Sequence, residues 1–263
     1  MPAITINTLA SKKRNGEKFA VVTAYDATFA RVANTAGIEV ILVGDSLGNV
    51  LQGHQSTVPV SVNDMCYHTQ SVARGNSDAL LIADMPFASY DNPTNAVRNA
   101  SQLMQAGAQM VKLEGGAWLS ETVSHLVRNG IPVCAHLGLL PQSVNVLGGY
   151  RVQGRDNSAA QQMLDDARTL QASGASMVLM ECIPSTVAHT ITTSLHVPTV
   201  GIGAGPATDS QVLVLHDLLG LNPKPAKFVK NFMQDCNSIV AALEAYRSAV
   251  VSGSFPAPEH CFD

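Results

Sequence analysis

Again and again along this 263-residue chain a short apolar run stops abruptly at a polar residue. The runs are Ala20–Ala24, Val40–Val43, Leu80–Ala83, Met110–Leu113, Pro132–Ala135, Met177–Met180 and Thr199–Ile202, with a last one at Leu213–Leu215. Apolar residues on consecutive positions suit strands buried on both faces, as in parallel sheets. Segments with helical spacing lie between most of them: Asp26–Ala36, Asn63–Arg74, Thr94–Ala106, Leu119–Arg128, Ser158–Ala172 and Thr186–Ser194. Strand–helix alternation predicts a parallel α/β fold. About eight such units in roughly 220 residues fit a closed (β/α)₈ TIM barrel better than a doubly wound open sheet. With no Pro/Ser-rich break, residues 1–263 are expected to form a single domain. A first helix at Ile4–Arg14 is expected to cover the barrel bottom, and extra C-terminal helices are expected around Ala226–Phe232 and Cys236–Val251.

Composition narrows the function. Net charge is −4, and the 16 Lys and Arg residues are scattered. Nucleic-acid binding needs them clustered to displace counterions from phosphate, so no nucleic-acid partner is expected. The five cysteines include no CxxC pair, which argues against zinc and against a disulfide framework. No apolar stretch is long enough for a bilayer and no secretory leader is visible, so the expectation is a cytoplasmic protein without a membrane partner. Only 14% of residues are charged, which leaves room for an oligomer interface.

The polar residues that end the runs carry the chemistry. They are Asp26, Asp45 with Ser46, Asp84, Lys112 with Glu114, His136, Glu181, the glycine run Gly201–Gly205, and His216 with Asp217. In a parallel barrel all strand C-termini meet on one rim, so these side chains would converge. Taken singly, Asp26 and Asp217 read best as helix N-caps, and His216 as a core histidine. Lys112 lies inside a strand, where an ammonium needs a partner; Glu114, two residues on, shares its face. Asp45, Asp84 and Glu114 would crowd three carboxylates, which costs several kcal/mol unless a cation intervenes. An all-oxygen ligand set favours Mg²⁺: Asp45 and Asp84, with Glu114 direct or through water. Glu181 reads equally well as a general base or as the cap ahead of Ile183-Pro184. GIGAG lacks GxGxxG spacing and reads as a rim that lets a flat ligand or a loop come close.

The segments VGDSLGNVLQGHQSTVPVS, LLIADMPFASY, MVKLEGG, HLGLLPQSVNVLGGYRVQGR, GIGAG and HDLLG resemble ketopantoate hydroxymethyltransferases, in order, from about Phe19 to Phe232. The resemblance implies a (β/α)₈ barrel, Mg²⁺, a decamer, and transfer of a hydroxymethyl group from methylene-tetrahydrofolate to an α-keto acid, α-ketoisovalerate. It implies metal ligands at Asp45, Asp84 and Glu114. It implies that Ser46 and Lys112 hold the keto acid's carboxylate, that Glu181 is the base, and that His136 hydrogen-bonds substrate. Three positions depart from the family pattern. Ala135 stands in place of Gly, Leu140 in place of Thr, and Ser210 follows Asp209 where Gly is usual; a turn there would be strained if it needed positive φ. Two other readings stay open: a Mg²⁺-dependent lyase or mutase acting on another α-keto acid, and a barrel that binds without catalysis. Lys112 as a Schiff-base nucleophile is the alternative to the metal.

Overall fold

The computed structural model describes residues 3–263. Eight parallel strands close into a barrel in chain order: β1 (Phe19–Thr23), β2 (Val40–Val43), β3 (Leu80–Asp84), β4 (Met110–Glu114), β5 (Val133–Gly138), β6 (Met177–Glu181), β7 (Thr199–Ile202) and β8 (Ser210–Leu213). Around them run α1 (Ile6–Asn15), α2 (Ala27–Thr35), α3 (Leu47–Val50), α4 (Val62–Gly75), α5 (Pro93–Gln105), α6 (Ser120–Arg128), α7 (Val144–Leu147), α8 (Asn157–Ala172), α9 (Ser185–Ser194), α10 (Leu215–Leu218) and α11 (Ile239–Ser252). The expected TIM barrel is therefore present.

Alternation along each strand divides the core in two. One set, including Ala20, Ile41, Leu81, Val111 and Val178, packs outward against the helices. The other, including Phe19, Val40, Leu80, Met110 and Met177, fills the lumen. Leu9 of α1 is buried in that lumen core, so the first helix plugs the bottom as expected. Lys13 of α1 holds it there through Asp209, at 2.7 Å. At the other side α11 is tied in by Tyr246, whose hydroxyl bridges the carbonyls of Val21 and Gln211 at 2.9 and 2.8 Å.

Helix starts follow local chemistry. Asp26 caps α2 by accepting from the backbone N–H groups of Thr28 and Phe29. Ser61 and Asp64 form a capping box at α4. Asn92 caps α5 just ahead of Pro93, which supplies the fixed φ of a first helical residue.

Three expectations need correction. The eighth strand is Ser210–Leu213, not Leu213–Leu215; pairing with β1 from Phe19↔Ser210 to Val22↔Leu213 sets the register. His216 and Asp217 consequently lie on α10 beyond the strand, and Asp217 caps nothing; it accepts from Asn222 Nδ2 at 2.9 Å. Residues 226–232 are not helical, because the N–H of Phe232 goes to the carbonyl of Leu218 and the segment crosses the rim as irregular chain. Ser210 does not sit at positive φ: among the described residues only Ala88 and Cys182 do so without being glycine.

Candidate active site

Four strands keep one face in the lumen and change its chemistry near the top. Reading upward, β3 presents Leu80, Ile82 and Asp84; β4 presents Met110, Lys112 and Glu114; β5 presents Cys134 and His136; β6 presents Met177, Leu179 and Glu181. Strand register sets them side by side, with Asp84 beside Lys112 and Glu114 beside His136. They line a cavity of about 560 Å³ that also takes in Asp45 and Ser46 from the end of β2. All seven residues proposed from sequence thus share one cavity.

Lys112 Nζ stands 2.7 Å from Asp84 Oδ1 and 3.7 Å from Glu114 Oε1. Asp84 Oδ2 accepts the backbone N–H of Asp45 at 2.9 Å, which fixes the two aspartates relative to each other. His136 stands between the two glutamates, with Nδ1 3.4 Å from Glu114 Oε1 and Nε2 3.4 Å from Glu181 Oε2 and neither nitrogen hydrogen-bonded. Glu181 is not a cap: α9 begins after Pro184 with no side-chain cap. Its backbone is held by Gly138, where any Cβ would come within 2.2 Å of the Glu181 carbonyl oxygen. The Glu181 carboxylate remains 16% exposed, open to the cavity.

Burial and charge set the protonation states. Burial drives the Asp45 carboxyl well above its usual value, and the charges of Asp84 and Glu114 add to the rise. Burial also lifts Glu114 to about 7, although Lys112 opposes it. Burial works against the Lys112 ammonium, but three nearby carboxylates overcome that and raise it above its usual value. Lys112 is therefore a held cation, which disfavours a Schiff-base role. Burial, then the charge of Lys112, lowers His136, so its imidazole is neutral near physiological pH.

The donor set fits a hard divalent cation. Three carboxylates face one ammonium, which leaves two negative charges in excess when all are ionised. Glu114 Oε1 is buried without a hydrogen bond. Among the described residues no three His, Cys, Asp or Glu side chains gather closely enough to ligate one ion together. The carboxylate oxygens of Asp45, Asp84 and Glu114 are hard donors of the kind Mg²⁺ takes.

A family model of ketopantoate hydroxymethyltransferase matches residues 3–258. The chain belongs to the ketopantoate hydroxymethyltransferase family. It is 60% identical over 262 residues to the 3-methyl-2-oxobutanoate hydroxymethyltransferase 2 of Hahella chejuensis, covering 99% of both chains. It is 58% identical to the enzyme of the same name from Pseudomonas entomophila, covering 100% of this chain and 99% of that one. A phosphonopyruvate hydrolase structure is similar in fold alone, with a TM-score of 0.63 at 14% identity over 83% of this chain and 84% of that one.

In this hydroxymethyltransferase family member, sequence reasoning passed over Gln142. Its Nε2 donates to Asp45 Oδ2 at 2.8 Å and to the Met85 carbonyl at 3.0 Å, and its backbone N–H donates to Glu114 Oε2 at 3.1 Å. Its Oε1 accepts from Tyr90 Oη at 2.5 Å. Tyr25, whose hydroxyl lies 2.9 Å from Ser46 Oγ, was also missed. An uncharged glutamine in a loop carries no charge signal; only its place in HLGLLPQS marked it.

Proposed function

We propose that the protein transfers a hydroxymethyl group from methylene-tetrahydrofolate to 3-methyl-2-oxobutanoate, giving 2-dehydropantoate, the first step of pantothenate and coenzyme A synthesis. Family membership supports the reaction. The observation that carries it to the residues is the buried set Asp45, Asp84 and Glu114 around Lys112, with Glu181 across His136.

Asp45, Asp84 and Glu114 would hold Mg²⁺. When bound, the ion supplies positive charge to the keto oxygen as negative charge develops there, worth several kcal/mol. Lys112 and Ser46 hold the keto acid's carboxylate, the former as a permanent ammonium. His136 is neutral and donates or accepts a hydrogen bond without adding charge. Glu181 takes the proton from C3. The freed electron pair forms the new bond to the donor's methylene carbon, water supplies the hydroxyl, and the carrier leaves with both of its nitrogens protonated.

A decameric assembly and a cytoplasmic setting belong to the same reading. Tyr67, Phe87 and Trp118 are 68%, 49% and 69% exposed on successive strand–helix units, apolar surface that assembly would cover. No described helix is long and apolar enough to cross a membrane.

The test is hydrogen exchange at C3 of 3-methyl-2-oxobutanoate in deuterated water with Mg²⁺, followed by addition of methylene-tetrahydrofolate. Exchange without the folate and product only with it is the expected result. Turnover indifferent to folate, or faster on pyruvate or oxaloacetate, would refute the proposal.

A further inference from the structure

We propose that the C-terminal tail, residues 255–263, is a wall of the catalytic cavity. With Phe228 it forms an aromatic seat for the planar, nitrogen-rich ring system of the one-carbon donor, and Arg151 and Lys224 take the donor's anionic tail. This rests on the donor proposed above.

The tail is built into the rim. Phe255 anchors it, 4% exposed and edge-on to Phe232 and Tyr246 at 5.4 and 6.0 Å. Farther on, the Phe262 carbonyl accepts from the backbone N–H and the hydroxyl of Ser185, at 2.9 and 3.1 Å. Ser185 opens α9, just after Glu181. Lys227 donates to the Cys261 carbonyl and stands 5.2 Å from the centre of the Phe262 ring. The tail therefore bridges the start of α9 and the irregular segment around 226–232.

Two rings, Phe228 and the tail's Phe262, explain the middle glycine of the run. Gly203 has φ +59°, and a Cβ there would lie 2.9 Å from Phe228 Cδ1 and 3.0 Å from Phe262 Cε2. Both rings rest on bare backbone just past the end of β7, and both line the cavity. Neither is fully buried, so each offers surface to a ligand.

Size and charge point to the second substrate. About 560 Å³ falls in the range of roughly 300–1,000 Å³ that holds a drug-sized molecule, more than a five-carbon acid fills. The acid's place is already set by Lys112 and the carboxylates, which leaves the aromatic side for a flat partner that stacks. Arg151 and Lys224 line the same cavity and are exposed, as a carboxylate tail extending toward solvent requires. Asp217, an acid on the same rim, accepts from Asn222.

The test is steady-state kinetics on the full-length Phe262→Ala variant, with C3 exchange measured separately in the absence of folate. KM for methylene-tetrahydrofolate is expected to rise about 5- to 10-fold, the loss of one stacking contact. Exchange and keto-acid affinity should match wild type, and Phe262→Tyr should restore the donor KM. Lys224→Ala is expected to weaken a polyglutamylated donor more than a monoglutamylated one. An unchanged donor KM in Phe262→Ala, or an equal fall in exchange, would overturn the assignment. A wild-type protein that exchanges C3 but never transfers from folate would instead sink the reaction itself.

Discussion

Two buried glutamates at opposite ends of the barrel show how differently one side chain can be used. At the bottom, Glu39 is 3% exposed and satisfied on both oxygens. Arg247 reaches its Oε1 with two nitrogens at 3.1 and 2.6 Å, and the Ala20 N–H reaches its Oε2 at 3.0 Å. At the top, Glu114 is 4% exposed, shares its neighbourhood with two other carboxylates, and leaves Oε1 without a hydrogen bond. The bottom balances its buried charge within the protein. The top crowds Asp45, Asp84 and Glu114 around one ammonium, pushes Asp45 and Glu114 toward the protonated form, and holds the set rigidly through Gln142 and the Asp45–Asp84 contact. Crowded, incompletely satisfied carboxyl groups held in fixed geometry are what a ligand-binding site retains and what a purely structural site removes.

The contrast can be broken most sharply at Glu181. Glu181→Gln is expected to lower C3 exchange by about 10²–10⁴-fold while keto-acid binding stays near wild type. Exchange at the wild-type rate would move the base elsewhere. At the bottom, Arg247→Ala should do the reverse. It leaves the Glu39 carboxylate short of its fork and costs about 1–3 kcal/mol, a buried-pair loss reduced because the arginine side chain is 34% exposed. Denaturant unfolding measures the loss, and kcat per folded molecule should not change. A stable but inactive variant would erase the division between the two ends.

A smaller effect follows from pH. Glu114 rises from its usual 4.5 to about 7, so the folded protein keeps a proton that the unfolded chain has released. Stability of the metal-free protein therefore falls as pH climbs through that window. Mg²⁺ needs the ionised carboxylates, so its stabilisation should be greater near pH 8 than near pH 6, read as a shift in Tm. Equal shifts at both would detach Glu114 from the metal.

The smallest effect is at Ser210, in β8, where the lumen buries an Oγ with no hydrogen-bond partner. Ser210→Ala should stabilise the protein by about 1 kcal/mol with activity unchanged. Destabilisation would mean the hydroxyl has a partner, such as a bound water.

The barrel was legible because its strands are apolar on both faces, and seven of the eight runs fell on their strands. The site was legible because charged residues at strand ends are conspicuous in such runs: Lys112 between Val111 and Leu113 has no other ready explanation. What escaped depends on contacts between segments distant in sequence. The eighth strand was misread because Ser210 and Gln211 look like loop, yet pairing with β1 makes them strand. Residues 226–232 have helical composition, but Phe232 finds its hydrogen-bond acceptor in Leu218. Gln142 is neutral, and its role comes from contacts with Asp45, Met85 and Tyr90, up to 97 residues away.

On this reading Asp45 and Asp84 share one divalent cation through which the barrel mouth grips an α-keto acid. Calorimetric titration of 3-methyl-2-oxobutanoate into wild type and Asp84→Ala, each with Mg²⁺ and with chelator, tests it most directly. Heat of binding is expected only for wild type with Mg²⁺. Equal affinity in chelator, or retained Mg²⁺-dependent affinity in Asp84→Ala, would contradict it.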